Sequence, residues 1–208
     1  MALAIGSPCL ACAGHDRPST PVPPLESPPA PWDRPVPGAY LSVGDAAAEP
    51  GRQQGVVLAT HWRADDGSVV NRVPDGSVVA WPHPLRLPRP APLRIWIETS
   101  RLPVMVDLRV FDGAVDAAGV PTGEFEIQRC TRPPRPEGPC QYRLDSGGIA
   151  VIHPNLTFRP TMLLVLYAEW YVPVAERSAA AKSDPTVSAS WGFRVATGVE
   201  HSPRTPSG

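Results

Sequence analysis

The chain has 208 residues, a formal net charge of −1 and 42% hydrophobic residues. That is enough apolar material for one folded domain plus tails, and no basic block argues for nucleic acid or an anionic membrane surface as a partner. Proline is the outlier at 29 residues, which excludes long helices, because each interior proline costs a helix about 3 kcal/mol; no run reaches the ~18 apolar residues of a membrane-spanning helix.

The first segment, residues 1–17, contains "SPCLACAGHD". Cys9, Cys12 and His15 lack a nearby fourth ligand for zinc, and no helix follows that would make Cys9 and Cys12 a redox pair. A haem anchor needs histidine directly after the second cysteine, where Ala13 stands. A truncated export signal fits better: Ala11-Cys12-Ala13 has signal-peptidase form. Cys12 is the candidate for lipidation, although Cys9 occupies the place where a lipobox has leucine. Residues 18–51 read as a proline-rich linker, with nine prolines between Pro18 and Pro37. Such a stretch favours extended polyproline II and makes a stiff spacer rather than a ladder.

The texture changes near residue 52, and residues 52–198 read as the folded domain, followed by a tail at 199–208. "GVVLATHWR" (55–63) reads as a strand. The near-repeat "DGSVVNR" and "DGSVVAW" flanks Val73-Pro74-Asp75-Gly76, a turn sequence, so 68–81 is expected to be one hairpin. "PLRIWIETS" (92–100) alternates, with Leu93, Ile95 and Ile97 opposed to Arg94, Trp96 and Glu98. "PVMVDLRVF" (103–111) does the same, with Val104, Val106, Leu108 and Val110 on one side. Period 2 marks a strand with one buried face. "EFEIQRC" (124–130), "CQYRL" (140–144) and "GIAVIH" (148–153) are shorter strands. "MLLVLYAEWYV" (162–172) is the most apolar run and is expected at a sheet centre. "TVSASWGFRVAT" (186–197) places Val187, Ala189, Trp191, Phe193 and Val195 on one face, and these last two strands should pair as a terminal hairpin.

About nine short strands with Gly and Pro turns and no convincing helix predict an all-β antiparallel β-sandwich. An immunoglobulin- or fibronectin-like topology is the first expectation, a jelly roll the second, behind a disordered proline-rich N-terminal segment. Cys130 and Cys140 flank "TRPPRPEGP" and are expected to form a disulfide that clasps the mouth of a hairpin loop. A disulfide implies an oxidising compartment, so the domain is expected to be extracytoplasmic, secreted or held at the cell envelope. All but one of the 19 basic residues are arginine, the exception being Lys182, a bias that fits a GC-rich bacterial genome.

No catalytic motif is present: no G-x-S-x-G elbow, no H-E-x-x-H and no phosphate loop. His61, near Asp65, Asp66 and Ser68, and His153, on another strand, are the candidates for a secreted hydrolase. The ordinary reading of both is a strand histidine. Asp112, Asp116 and Glu124 line a Gly-containing loop whose carboxylates have the hardness calcium prefers but not the spacing of an EF-hand, so no metal and no cofactor are expected. Of six tryptophans, Trp170 and Trp191 fall on apolar faces and are expected in the core, as is Trp62, in line with Val56 and Leu58. Burying Leu93, Ile95 and Ile97 turns Trp96 outward beside Arg94 and Glu98, and Trp81 ends the expected hairpin. Trp96, Trp81, Arg94 and Glu98 are therefore the candidate binding residues, for an unknown protein or a glycan at the cell surface. The expected function is that of a non-catalytic binding or envelope module, with membrane anchoring only through the N-terminus; a carbohydrate-binding module using the exposed tryptophans and a hydrolase are the alternatives.

Overall fold

A computed structural model describes residues 35–44, 52–64, 68–73, 78–134, 138–145, 150–177 and 185–198. The expectations for Cys9, Cys12, His15, Asp65 and Asp66 fall outside these residues. The described residues form two antiparallel sheets packed face to face, the β-sandwich expected from the alternating pattern. The strands are β1 (Ala39–Val43), β2 (Gln53–Gln54), β3 (Val56–Arg63), β4 (Val69–Arg72), β5 (Leu85–Leu87), β6 (Leu93–Ile97), β7 (Met105–Phe111), β8 (Phe125–Arg129), β9 (Cys140–Leu144), β10 (Ala150–Pro154), β11 (Thr161–Tyr171) and β12 (Thr186–Thr197).

The five-stranded sheet has the order β2-β1-β6-β10-β9, and the larger sheet β4-β3-β12-β11-β7-β8 with β5 added in parallel to β12. If β1 is strand A, β6 to β12 fall in sequence as B, C, C′, D, E, F and G. The sheets are then ABED and GFCC′, the immunoglobulin arrangement. Strands β2 to β5 are an insertion after the first strand, and β3 extends the larger sheet beyond β12. β11 sits between β7 and β12, as its apolar run requires.

The alternation of β12 is followed to the residue: Val187, Ala189, Trp191, Phe193 and Val195 are all buried. They meet Ile95, Ile97, Ala150 and Ile152 of the other sheet in one apolar cluster. Trp170 lies edge-on to both Trp62, at 5.5 Å between ring centroids, and Trp191, at 6.3 Å. Two of the buried indole N–H groups find a carbonyl: Trp170 donates to Arg101 O and Trp191 to Pro37 O.

Two boundaries differ from the sequence reading. The domain does not begin at residue 52. β1, inside the expected linker, lies between β2 and β6, with Ala39 and Leu41 buried. Val36 packs on the core beside it and Pro37 accepts the Trp191 indole hydrogen bond. The proline density upstream hides a five-residue alternating strand that is too short to stand out. The expected hairpin at 68–81 is also replaced. β4 pairs with β3 through a turn in which Ala64 N–H donates to Ser68 O, so the partner of "SVVNR" precedes it. Residues 78–81, at the end of the near-repeat, form a strap across the outer face of the larger sheet. There Val79 N–H bonds Ala118 O and Trp81 Nε1–H bonds Gly119 O. Gly192 makes room for this strap, since a Cβ there would stand 2.7 Å from the Trp81 ring.

The two sheets are tied at both sides. On one, the Gln53 amide donates to Arg194 O and accepts from Arg194 N–H, so a side chain imitates a ladder rung between β2 and β12. On the other, Cys130 and Cys140 form a disulfide with Cα atoms 4.3 Å apart.

Candidate functional site

The disulfide joins the expected residues in an unexpected role. β8 pairs with β7 in the larger sheet, whereas β9 pairs with β10 in the smaller one. The two strands therefore do not form a hairpin, and the bond staples sheet to sheet. Beyond Cys130, Thr131 N–H bonds Cys140 O and Tyr142 N–H bonds Thr131 O, so the chain leaves β8 and touches β9 in a short parallel bridge. Of the intervening segment, Arg132, Pro133 and Pro134 are exposed.

This crossing shapes a cleft of about 540 Å³, within the range of small-molecule and side-chain pockets. One wall is Leu102 to Met105, leading into β7; the other is Cys130 to Pro134, with Tyr142 of β9 at the back and Arg129 and Arg132 at the mouth. Pro133 and Pro134 are joined by a cis peptide bond. Tyr142 Oη donates to Pro103 O at 3.2 Å, which fixes the back wall to the loop before β7. That loop is held again by Arg101, whose guanidinium reaches both carboxylate oxygens of Glu176 at 2.9 and 3.0 Å. Glu176 also receives Arg63 on its carbonyl oxygen. The cleft thus rests on ordered elements, with walls of mixed polarity and guanidinium groups at its rim. Arg129 is paired with Asp107 at 3.2 Å across the outer face.

The sequence-predicted binding residues are not brought together. Arg94, Trp96 and Glu98 do share the outer face of the smaller sheet, as the alternation requires. Trp96, however, is only 9% exposed, and its Nε1–H donates to Ser42 Oγ at 2.7 Å. The indole lies over β1 and removes Ser42 from water, so it is packing where an exposed platform was expected. Glu98 stands at the end of this face, where Arg52 bonds it at 3.3 Å and lies over the Tyr40 ring. Trp81 is on the outer face of the opposite sheet, half-buried in the strap. A flat aromatic face combining Trp96 and Trp81 does not exist.

The candidate catalytic histidines are separated in the same way. His61 is on the outer face of the larger sheet, with its Nδ1 and Asn71 Oδ1 2.6 Å apart. An amide oxygen only accepts, so the ring holds its proton on Nδ1 toward Asn71. His153 lies on the smaller sheet, between Gln141 of β9 and the strand carrying Arg94. Burial, and then the charges of Arg94 and Arg143, push its pKa below the ordinary value. A histidine more acidic when folded makes the unfolded chain the better proton acceptor. Stability is therefore full above the ordinary histidine pKa and is lost as pH falls through it toward the folded value. Urea midpoints measured on the acid side of neutrality should fall with pH in the parent and flatten in His153→Gln.

Nor do the loop carboxylates converge. Asp116 Oδ1 accepts from Ala118 N–H and Val120 N–H, which makes it a turn-former, and Asp112 is ion-paired with Arg159. Among the described residues no group of three or more His, Cys, Asp or Glu side chains is placed to hold a metal ion. No described helix is long and apolar enough to cross a membrane.

No protein-family model matches the chain, and no similar curated protein or solved structure was found. The cleft was missed by sequence reasoning because its walls join residues 102–105 to residues 129–134 and 142, segments that meet only in the folded chain. The one local signal was the stiff Thr131-Arg132-Pro133-Pro134 run next to a cysteine.

Proposed function

We propose that this protein is a non-catalytic binding module working outside the cytoplasm, and that it holds an extended segment of another protein in the cleft beside Cys130 and Cys140. The observation that carries this reading is the cleft itself: a mixed lining in which aliphatic and proline side chains stand beside polar groups, with the Arg129 and Arg132 guanidinium groups at the mouth. Such a surface suits a short extended peptide that places an apolar side chain between the walls and a carboxylate at the rim, because guanidinium binds carboxylate in a fork geometry. Its lining offers binding chemistry rather than a nucleophile and base: the Tyr142 hydroxyl already donates to Pro103 O, and the cysteines are bonded to each other. The disulfide supports the compartment, since such bonds persist where the surroundings are oxidising. Glycan recognition, the alternative, draws no support from Trp96, whose ring and N–H are both engaged.

The test is a titration of the full chain, followed by amide chemical shifts, with short peptides that combine acidic and apolar residues and, in parallel, with oligosaccharides. The expected result is a localised response at Thr131 and Tyr142 with peptide, and affinity lowered at least about tenfold in Arg132→Glu. Shifts confined to the Trp96 face, a response only to sugars, or affinity unchanged in Arg132→Glu would overturn the proposal.

A further inference from the structure

β8 is the outermost strand of the larger sheet on the C′ side. Cys130 N–H bonds Val106 O, so the even-numbered residues of β8 face β7 with their backbone groups. In an antiparallel ladder the alternate residues then turn their N–H and C=O outward. Those residues are Phe125, Ile127 and Arg129, and their outward groups have no partner among the described residues. Natural edges are blunted by charged side chains, proline, a bulge or shortness. β8 has no proline and no bulge: it is five residues of "FEIQR" in unbroken register with β7, and its two charges, Glu126 and Arg129, are of opposite sign. β9, the corresponding edge of the smaller sheet, is already met by Thr131 at its start.

The side chains over this edge are apolar and exposed, with Phe125 at 45% and Ile127 at 54%. Phe125 is supported from its own sheet by Phe111, at 5.0 Å between centroids, and by Arg109 above its ring.

We propose that β8 is a dimerisation edge at which two copies of this chain pair antiparallel about Ile127, fusing their larger sheets into one. The argument is the self-complementarity of the strand. A two-fold axis at Ile127 sets Ile127 against Ile127 of the second copy, Phe125 against Arg129, and Glu126 against Gln128. No like charges oppose one another. The three outward residues of each strand fall in hydrogen-bonded positions, and each exposed Phe125 ring receives a guanidinium from the second copy while Arg109 holds its other side. A shift of one residue would turn the outward backbone groups out of phase, and a shift of two would either set Glu126 against Glu126 or leave Phe125 opposite Thr131, beyond the strand, so the register about Ile127 is the self-complementary one. This inference goes beyond the binding reading and does not depend on it.

The experiment is sedimentation equilibrium of the full chain, from low to high micromolar concentration, under conditions that keep Cys130 and Cys140 bonded. A reversible dimer is expected. Ile127→Pro deletes an outward N–H that the β7 ladder does not use, and Ile127→Lys puts charge against charge across the axis. Both should raise the dissociation constant at least about tenfold, with thermal melts showing that each variant still folds. A second readout fixes the register. In a background with Cys9 and Cys12 changed to serine, Ile127→Cys should cross-link to itself on oxidation, since opposed Cα atoms at about 5.5 Å suit a disulfide. Phe125→Cys and Arg129→Cys chains should cross-link when mixed and not alone. A monomer at every concentration, a dimer that survives both Ile127→Pro and Ile127→Lys, or cross-linking without this pattern would overturn the proposal.

Discussion

Replacing Trp170 with alanine is expected to destabilise the domain by about 3–5 kcal/mol, the cost of removing a large aromatic from a packed core. The side chain is 1% exposed and stands between Trp62 and Trp191, edge-on to both. Truncation removes both aromatic contacts together with the buried area, and the flanking indoles are too large to close the cavity by rotation. It also takes from Arg101 O one of its donors, the Trp170 indole at 3.0 Å, leaving the Thr99 hydroxyl at 3.1 Å. That carbonyl belongs to the loop leading to the cleft wall, so the variant should weaken cleft binding as well as lower the urea midpoint. Trp170→Phe restores much of the ring area without the N–H and should fall between the two. A loss under about 1 kcal/mol in Trp170→Ala would mean that the tryptophans do not form a single packed unit.

Removing the disulfide is the second large effect. The double replacement Cys130→Ala with Cys140→Ala is expected to cost about 3 kcal/mol by the loop-closure relation for a ring of roughly 11 residues. The bond here does more than shorten an unfolded loop, because it fastens β8 of one sheet to β9 of the other. Cys130 and Cys140 are both buried, so the replacement also removes packed sulfur from the seam. Sheet pairing within each layer does not pass through this bond, and the variant should keep its far-ultraviolet circular dichroism while its melting temperature drops. The cleft should suffer most, since Cys130 is part of its wall. Peptide affinity in the double variant is expected to fall further than the stability loss alone explains. An unchanged melting temperature would show that the ladder contacts of Thr131 with Cys140 and Tyr142 hold the seam without the covalent bond.

The period-2 pattern by itself determined the sandwich. Side chains alternate along any strand, so Leu93, Ile95 and Ile97 had to go in together, as did the five inward residues of β12, and all of them are buried. The length and apolarity of β11 determined its central place, because a strand with neighbours on both edges in a covered sheet tolerates little polarity. The two cysteines flanking a stiff segment determined the disulfide. Alternation also determined the side on which Trp96 lies, but not its exposure. An outer face is open or closed according to what neighbouring strands place on it, and Ser42 comes from β1, more than fifty residues away in the sequence. The same reason hid β1 itself. Its five residues carry too short a pattern to be told from the linker, and only the pairing with β6 makes Ala39 and Leu41 core. Local turn signals at Val73-Pro74-Asp75-Gly76 chose the wrong partner for β4, because the edge of β3 takes it instead, with Ala64 N–H bonded to Ser68 O. The cleft is tertiary for the same physical cause. A cavity exists where two sheets and a crossover fail to close, and that depends on which sheet each strand joins rather than on the residues of any one strand.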